Sequence, residues 1–147
     1  MGAQTSSCAL KPSGSLTMSI VQMGKITAFL DDRMKHAVTL RLDSGAAISC
    51  ISEAALREHK HHLLLHGKLH QLLTPITLSG FASVHTRVTK AIEGARFIIG
   101  RASCTQNLQA VSNLVCDYLI GQDFMMAYDM RQKLVDRKVS MVIPMED

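Results

Sequence analysis

The sequence of this 147-residue chain predicts an all-β fold with one or two short helices. Three observations lead to this prediction. Short runs in which apolar and polar residues alternate recur along the chain, which is typical of half-buried strands. Turn-forming residues stand between these runs. Helical patterns are confined to two places, so the strands must supply most of the core.

The composition predicts one globular domain behind a short leader. Apolar residues make up 47% of the chain and charged residues 19%, whereas disordered chains have fewer apolar and more charged residues. The length is typical of a single domain. Residues 1–15 are small and polar, so we predict a leader there and a folded domain over residues 16–147.

The first half of the chain contains four predicted strands and one helix. The strands cover residues 16–22, 25–30, 38–42 and 48–51. Residues 31–33 form a predicted turn. Ser52 is the predicted N-cap of a helix, because its hydroxyl can accept a hydrogen bond from the first turn. The helix begins at Glu53, and its pattern continues toward His66.

The second half contains five predicted strands and a short helix. The strands cover residues 72–78, 84–92, 97–99, 115–120 and 139–143, and the helix covers residues 123–127. Pro75 lacks a backbone donor, so its strand is expected at a sheet edge. The small residues 79–83 predict the turn of a hairpin. Residues 104–113 are polar and are expected to form a loop.

Charge and cysteine spacing exclude several function classes. The net charge is +4, but the basic residues are scattered and aromatic residues make up only 4%. We interpret this charge as favouring solubility, so no nucleic-acid partner is required. The four cysteines are far apart and form no C-x-x-C motif. This spacing predicts neither a zinc knuckle nor a redox pair, and it fits a reducing compartment such as the cytoplasm.

The N-terminus bears on membrane attachment. No apolar run approaches the ~18 residues that a membrane-spanning helix needs, and no secretory signal is recognisable. Residues 1–6, Met-Gly-Ala-Gln-Thr-Ser, fit the pattern for myristoylation at Gly2. The alternative, which we favour, is a plain polar leader. A membrane partner is therefore expected only if Gly2 is acylated.

The main candidate for chemistry is Asp43, which follows a strand and begins a tight turn. Gly45 permits close backbone approach, the Ser44 hydroxyl can brace the turn, and Ala46 leaves space. Such a tetrapeptide alone is also found in ordinary Asp-Ser-Gly turns. Here a strand precedes it and the strand 48–51 follows it. This context predicts a carboxylate presented on a rigid support.

Residues 40–46, Leu-Arg-Leu-Asp-Ser-Gly-Ala, resemble the catalytic loop of retropepsin-like aspartic proteases of retroviruses, pararetroviruses and LTR retrotransposons. Three further features match this family in order. The hairpin around residues 79–81 lies where the family has its flap. Residues 118–124 resemble its apolar-apolar-Gly element with a following short helix. The last of these features is the closing strand 139–143. The resemblance as a whole covers residues 20–145.

The resemblance implies a closed β-barrel or sandwich with a flap hairpin, active as a homodimer of two-fold (C2) symmetry. It also implies that no cofactor is needed and that the substrate is a peptide or polyprotein segment, processed in the cytoplasm or in a virus-like particle. The implied site residues are catalytic Asp43, the supporting Ser44, Gly45 and Ala46, the substrate-binding Ser79, Gly80, Phe81 and Ile48, and the nearby Leu119, Ile120 and Gly121.

The resemblance also implies a two-carboxylate reaction. One carboxylate takes a proton from water while the other, protonated, polarises the scissile carbonyl. The chain has one Asp-Ser-Gly motif, so two copies of Asp43 would meet at a two-fold axis and share one proton, as in the known aspartic-protease dyad. Activity is therefore expected under mildly acidic conditions. The terminal strands, 16–22 and 139–143, are the expected dimer interface.

Two positions depart from the family pattern. Retroviral enzymes often carry an acidic residue four positions after the catalytic Asp and an Arg directly after the later Gly. Those positions hold Ala47 and Gln122 here, so both partners of that ion pair are absent together. Their absence argues against carrying over the dimer stability and subsites of the retroviral enzymes. Because a fold does not prove an activity, an alternative function is a catalytically silent dimeric binding module with the same fold. The intact Asp43 turn argues for the enzyme.

Histidine spacing suggests one other kind of site. His59, His62, His66 and His70 cluster in the sequence, and the last three recur every four residues, so one continuous helix would place them on one face. Such a face can bind zinc. Gly67 interrupts the helical pattern, and no H-E-x-x-H motif is present. We therefore favour a solvated, weakly basic face and predict no metal.

Overall fold

The computed structural model describes residues 14–19, 24–81, 84–135 and 138–145, in which strands predominate. The ten strands of this part of the chain are β1 Gly14–Ser19, β2 Lys25–Phe29, β3 Ala37–Leu42, β4 Cys50–Ser52, β5 Lys68–Phe81, β6 Val84–Ile99, β7 Ala102–Val111, β8 Tyr118–Ile120, β9 Arg131–Val135 and β10 Lys138–Met145. The two helices are α1 Glu53–His66 and α2 Gln122–Ala127. Gly2 and most of the predicted leader lie outside the described residues.

Seven strands form the main sheet in the order β2-β3-β8-β4-β7-β6-β5. Strand β2 also pairs with β6 through Phe29 and Ile98, which closes six of the strands into a barrel. Strand β5 continues the sheet beyond β6. The predicted all-β fold with a closed barrel and two short helices is therefore confirmed.

Alternating burial shows why these segments are strands. In β2 and β3 every second side chain is buried, including Ile26, Ala28, Val38 and Leu40. This pattern places one face of each strand in the barrel core and the other in solvent. The core also contains Tyr118, whose ring lies edge-to-face with that of Phe97, with the ring centroids 5.6 Å apart.

Helix α1 begins where its sequence predicts. The Ser52 hydroxyl accepts a hydrogen bond from the Ala55 amide at 3.0 Å, so this residue is the N-cap. The helix buries Ala55, Leu56 and Leu63 against the barrel and ends before Gly67. Neither helix within the described ranges is long and apolar enough to cross a membrane.

A second, three-stranded sheet has the order β1-β10-β9. Strands β1 and β10 are antiparallel, with Gly14 opposite Met145 and Ser19 opposite Ser140. The buried side chain of Ile143 in β10 joins the barrel core. The two strands that we expected near the chain ends are thus neighbours within one subunit.

The predicted hairpin is present as β5 and β6. Strand β5 pairs only with β6 among the described strands, so the edge position expected from Pro75 is confirmed. The two strands pair from Lys68 to Gln71 and again from Ile76, with a register shift between these stretches. Residues 82–83, within the predicted turn of the hairpin, lie outside the described residues.

One predicted loop is wrong. Residues 104–113 were expected to be irregular, yet most of them belong to β7, Ala102–Val111. Their more exposed polar side chains alternate with buried Cys104, Gln106, Leu108 and Ala110, so one face is buried and mostly apolar although the segment as a whole is polar. Residues 97–99, which were predicted as a separate strand, form the end of the long strand β6. Strand β9 was not predicted.

Candidate active site

The backbone of Asp43 is fixed by two neighbouring strands. Strand β3 ends at Leu42 and runs parallel to β8, with Leu42 opposite Ile120. The Asp43 amide then donates to the Ile120 carbonyl at 2.9 Å. Ile120 is fully buried, whereas Asp43 is exposed. The half-buried strand β3, bonded to the fully buried β8, therefore ends in an accessible carboxylate, so the charge of Asp43 is not desolvated.

The turn after Asp43 holds one of its carboxylate oxygens. The Gly45 amide donates to Asp43 Oδ1 at 2.9 Å, and the Ala46 amide donates to the Asp43 carbonyl at 3.1 Å. A Cβ at position 45 would lie 3.2 Å from the same carboxylate oxygen, so this position suits glycine. The turn thus orients the carboxylate through a backbone donor while leaving it open to solvent.

Gly121 locks this turn against the strand that supports it. A Cβ at position 121 would lie 2.6 Å from the Ala46 carbonyl oxygen and 2.8 Å from that of Ile48, closer than real contacts allow. The next two amides continue the contact, because Gln122 donates to the Ala46 carbonyl at 2.8 Å and Asp123 to the Ala47 carbonyl at 3.2 Å. Only glycine fits this approach of two backbones.

A network around Asp123 joins both sides of the site. Its carboxylate accepts hydrogen bonds from the Ser49 amide at 3.0 Å, the Ser49 hydroxyl at 2.7 Å and Gln106 Nε2 at 2.8 Å. It also accepts from the Phe124 amide at 2.8 Å. The Ser49 hydroxyl in turn accepts from the Gly121 amide at 3.0 Å. This partly buried carboxylate is therefore satisfied, and it joins the residue before β4 to β7 and α2.

Gln122 reaches the same turn with its side chain. Its Nε2 donates to the Ser44 carbonyl at 2.6 Å. Ala47, the other position that departs from the family pattern, is exposed and contributes its carbonyl to the bond from the Asp123 amide. Positions 47 and 122 therefore make hydrogen bonds that involve backbone carbonyls, and no acid–arginine pair is present there.

An apolar cluster lies beside the turn. Its buried members are Cys50, Val88, Val111 and Leu119, and the partly buried Ala46, Ile48, Leu72, Leu78, Leu114 and Cys116 pack against them. Burial and, to a lesser degree, the charge of Asp123 raise the pKa of the Cys50 thiol to about 12. Burial also raises the pKa of Cys116. Both thiols are therefore protonated near neutral pH and act as small apolar side chains.

Most of the predicted site residues lie in the Asp43 turn or in the apolar cluster beside it. Ala46 and Ile48 pack against the apolar cluster, and Leu119 is one of its buried members. Leu72 and Leu78 bring β5 to the same cluster. Ser79, Gly80 and Phe81 form the end of β5, where Phe81 pairs with Val84, but their side chains are not described. Their role in substrate binding remains a prediction.

Three residues of the site were missed by sequence reasoning. Ser49 and Asp123 are 74 positions apart, and Gln106 lies in the segment that was expected to be a loop. The one signal in the sequence is Asp123 at the start of the predicted helix 123–127, a position that is typical of a helix-terminal charge. That interpretation holds for its bond to the Phe124 amide but does not reveal the bonds to Ser49 and Gln106.

The histidines are distributed among different partners. Helix α1 ends at His66, so His70 lies in β5, where its Nε2 is 2.9 Å from Glu93 Oε1. His59 Nδ1 is 2.8 Å from the Tyr118 hydroxyl. The His62 ring is tilted against the ring of His36, with the ring centroids 3.8 Å apart, and desolvation together with that neighbour lowers the pKa of His62. Within the described ranges, no three His, Cys, Asp or Glu side chains are grouped as metal ligands.

Solved structures with a similar architecture are known, although sequence comparison finds nothing. No protein-family model matches the sequence, and no curated protein sequence matches it either. The retroviral protease-like domain of Ddi1 from Leishmania major aligns with a TM-score of 0.54 at 15% identity, over 84% of this chain and 96% of that one. A retropepsin-like aspartic protease from Rickettsia conorii aligns with a TM-score of 0.54 at 10% identity, over 92% of this chain and 95% of that one. Together with the barrel, the hairpin and the Asp43 turn, these likenesses show that the chain has the retropepsin-like fold.

Proposed function

We propose that this protein is an aspartic endopeptidase in which two subunits each contribute Asp43. The observation that carries the proposal is the Asp43 turn itself. Its carboxylate is exposed and held by the Gly45 amide, and the backbone behind it is bonded to the buried strand β8. The two solved structures compared above are described as a retroviral protease-like domain and a retropepsin-like aspartic protease.

The chemistry requires two carboxylates in different protonation states. One activates a water molecule by accepting its proton, and the other donates a hydrogen bond to the scissile carbonyl. Each chain supplies one Asp43 in an Asp-Ser-Gly turn, so a two-fold axis must bring the second. Like charges at that separation do not both ionise, so the pair carries one shared proton. This requirement favours activity at mildly acidic pH.

The substrate is an extended peptide segment that lies between the Asp43 turn and the β5–β6 hairpin. Backbone hydrogen bonds to strands hold such segments, while pockets select alternate side chains. The apolar cluster with Ile48, Leu78 and Leu119 borders this region. We therefore propose a preference for apolar side chains beside the scissile bond, and polyprotein processing as the biological context.

The dimer interface is proposed at the three-stranded sheet of the chain ends. Within the described residues, β1 and β9 each pair with β10 on one side only. Leu134 in β9 is largely exposed. Open strand edges with exposed apolar side chains favour pairing with another chain, and a second copy offers the same edges.

The test is peptide cleavage by the purified protein, with Asp43→Asn as the decisive variant. We expect this change to reduce kcat by about 10³-fold or more, because the amide cannot take the proton of water. Asp32→Asn is the matched control, since it removes only an exposed ion pair with Arg96 and should leave the rate unchanged. A statine-type peptide should inhibit, and specific activity should rise with protein concentration until dimers form.

Three results would contradict the proposal. If Asp43→Asn cleaves peptides as fast as the unmodified protein, this carboxylate is not the catalytic group. If the protein binds peptides but a degenerate peptide library survives intact at every pH tested, the fold serves as a binding module. Cleavage at constant specific activity by a strict monomer would refute the shared dyad.

A further inference from the structure

We propose that Gln122 is a positioning residue for Asp43 and acts through a single peptide group. The carboxamide Nε2 of Gln122 donates to the Ser44 carbonyl at 2.6 Å. The amide of the same peptide unit, that of Gly45, donates to Asp43 Oδ1 at 2.9 Å. This inference rests on the proposed function, because it assigns a role toward the reaction that Asp43 performs.

Planarity transmits the constraint. The Ser44 carbonyl and the Gly45 N–H belong to one rigid trans peptide and point in opposite directions. Fixing the carbonyl with Gln122 therefore fixes the direction of the N–H that holds the Asp43 carboxylate. A chain of two hydrogen bonds also polarises the peptide between them, so each bond strengthens the other.

This peptide needs such a constraint. Ser44 and Gly45 are exposed, so water competes for both of their backbone groups. A peptide that precedes glycine in a turn can rotate by about 180° between two turn types, because glycine tolerates positive φ. The rotation would turn the Ser44 carbonyl toward the Asp43 carboxylate and remove its donor. The Gln122 carboxamide opposes this rotation directly.

Gln122 is itself anchored to the opposite end of the turn. Its amide donates to the Ala46 carbonyl at 2.8 Å, and it follows Gly121, whose backbone lies too close to the turn to admit a Cβ. The backbone and side chain of one residue thus hold both ends of the Asp43 turn. A carboxamide provides this donor without placing another full charge beside the reacting carboxylates.

The experiment compares Gln122→Ala and Gln122→Glu with the unmodified protein in peptide cleavage across pH. We expect Gln122→Ala to lower kcat about tenfold with KM changed less than about twofold, because the lost bond affects alignment more than binding. Gln122→Glu should lose at least as much near pH 6.5, where its carboxylate repels the Ser44 carbonyl. Its rate relative to the unmodified protein should recover to within about twofold near pH 3.5, because a protonated carboxyl can again donate.

The control is Asn107→Asp, which makes the same change from carboxamide to carboxylate at an exposed position in β7 and keeps the oxygen that accepts from the Gly94 amide. It should match the unmodified protein across this pH range. A merely structural role for Gln122 predicts no acid recovery in Gln122→Glu. The inference would be overturned if the rate of Gln122→Glu relative to the unmodified protein did not change with pH. It would also be overturned if Gln122→Ala had the same kcat as the unmodified protein.

A second measurement does not depend on catalysis. The solvent exchange rate of the Gly45 amide, measured by NMR, should rise several-fold in Gln122→Ala, while that of the Ala55 amide at the Ser52 cap stays the same. If the unmodified protein cleaves no peptide, the proposed function fails, and this exchange rate alone decides the positioning role. An unchanged Gly45 rate would then refute that role.

Discussion

The floor of the site and the hairpin beside it are built in opposite ways. The floor, which we define as residues 43–49 and 118–124, is crossed by hydrogen bonds from β3, β4, β7, β8 and α2. The hairpin of β5 and β6 has one pairing partner for its outer strand, and residues 72–75 interrupt even that ladder. Leu73 in this interruption is fully exposed.

This difference indicates that the floor is more rigid than the hairpin. A small displacement of a reacting group lowers the rate steeply, so the turn that carries Asp43 is held by several bonds at once. A segment that must move to admit a substrate is drawn from the less stable parts of a structure. On the proposed function, the floor aligns the reaction and the hairpin deforms around the peptide.

The largest expected difference concerns two glycines. Gly121→Ala should reduce the free energy of unfolding by about 4 kcal/mol, because its Cβ would collide with the backbone carbonyls of Ala46 and Ile48. Gly94→Ala in the hairpin strand β6 has open space around the added Cβ and only the strain of a φ of 74°. It should cost about 1–2 kcal/mol. Urea unfolding of both variants measures the two losses in the free energy of unfolding. Equal losses would contradict the difference between floor and hairpin.

A smaller effect is expected from the carboxylate of the floor. Asp123→Asn replaces one acceptor with a donor that faces the donors of Ser49 and Gln106. The free energy of unfolding should fall by about 2 kcal/mol, because a buried donor is left without an acceptor. Asp117→Asn is the matched control on an exposed side chain and should stay within ~0.5 kcal/mol. A similar loss in both variants would show that the Asp123 network contributes nothing special.

The smallest effect is expected in the hairpin. Leu73→Ala should change the free energy of unfolding by less than ~0.5 kcal/mol, because the side chain is already in water. The same truncation at Leu119, buried in the apolar cluster, should cost about 3 kcal/mol. Thermal unfolding compares the two. A large loss at Leu73 would mean that the hairpin is held more firmly than its contacts indicate.

The predictable parts of the molecule are those encoded by neighbouring residues. Ser52 precedes an amphipathic segment, so its role as N-cap was predicted and is confirmed. The strand before Asp43 shows its alternation over five residues. Pro75 excludes a central strand by its missing amide. In each case the physical cause lies within a few positions of its effect.

The remainder depends on contacts between distant residues. Strand β7 looked like a loop because Thr105, Asn107 and Gln109 are polar, and only the barrel shows that the residues between them are buried. The bonds from Ser49 and Gln106 to Asp123 have no local signature. Gln122 was noted as a departure from a family pattern, but only the fold shows that its side chain reaches the Ser44 carbonyl.

The pairing of β1 with β10 has a consequence for the order in which the protein matures. Gly14 lies opposite Met145, so this ladder joins residues from the two extremes of the described sequence. A nascent chain cannot form it until residue 145 has left the ribosome, whereas every strand of the barrel has been synthesised by residue 120. If this three-stranded sheet forms the dimer interface proposed above, translation itself delays assembly until β10 has emerged, after every strand of the barrel has been made.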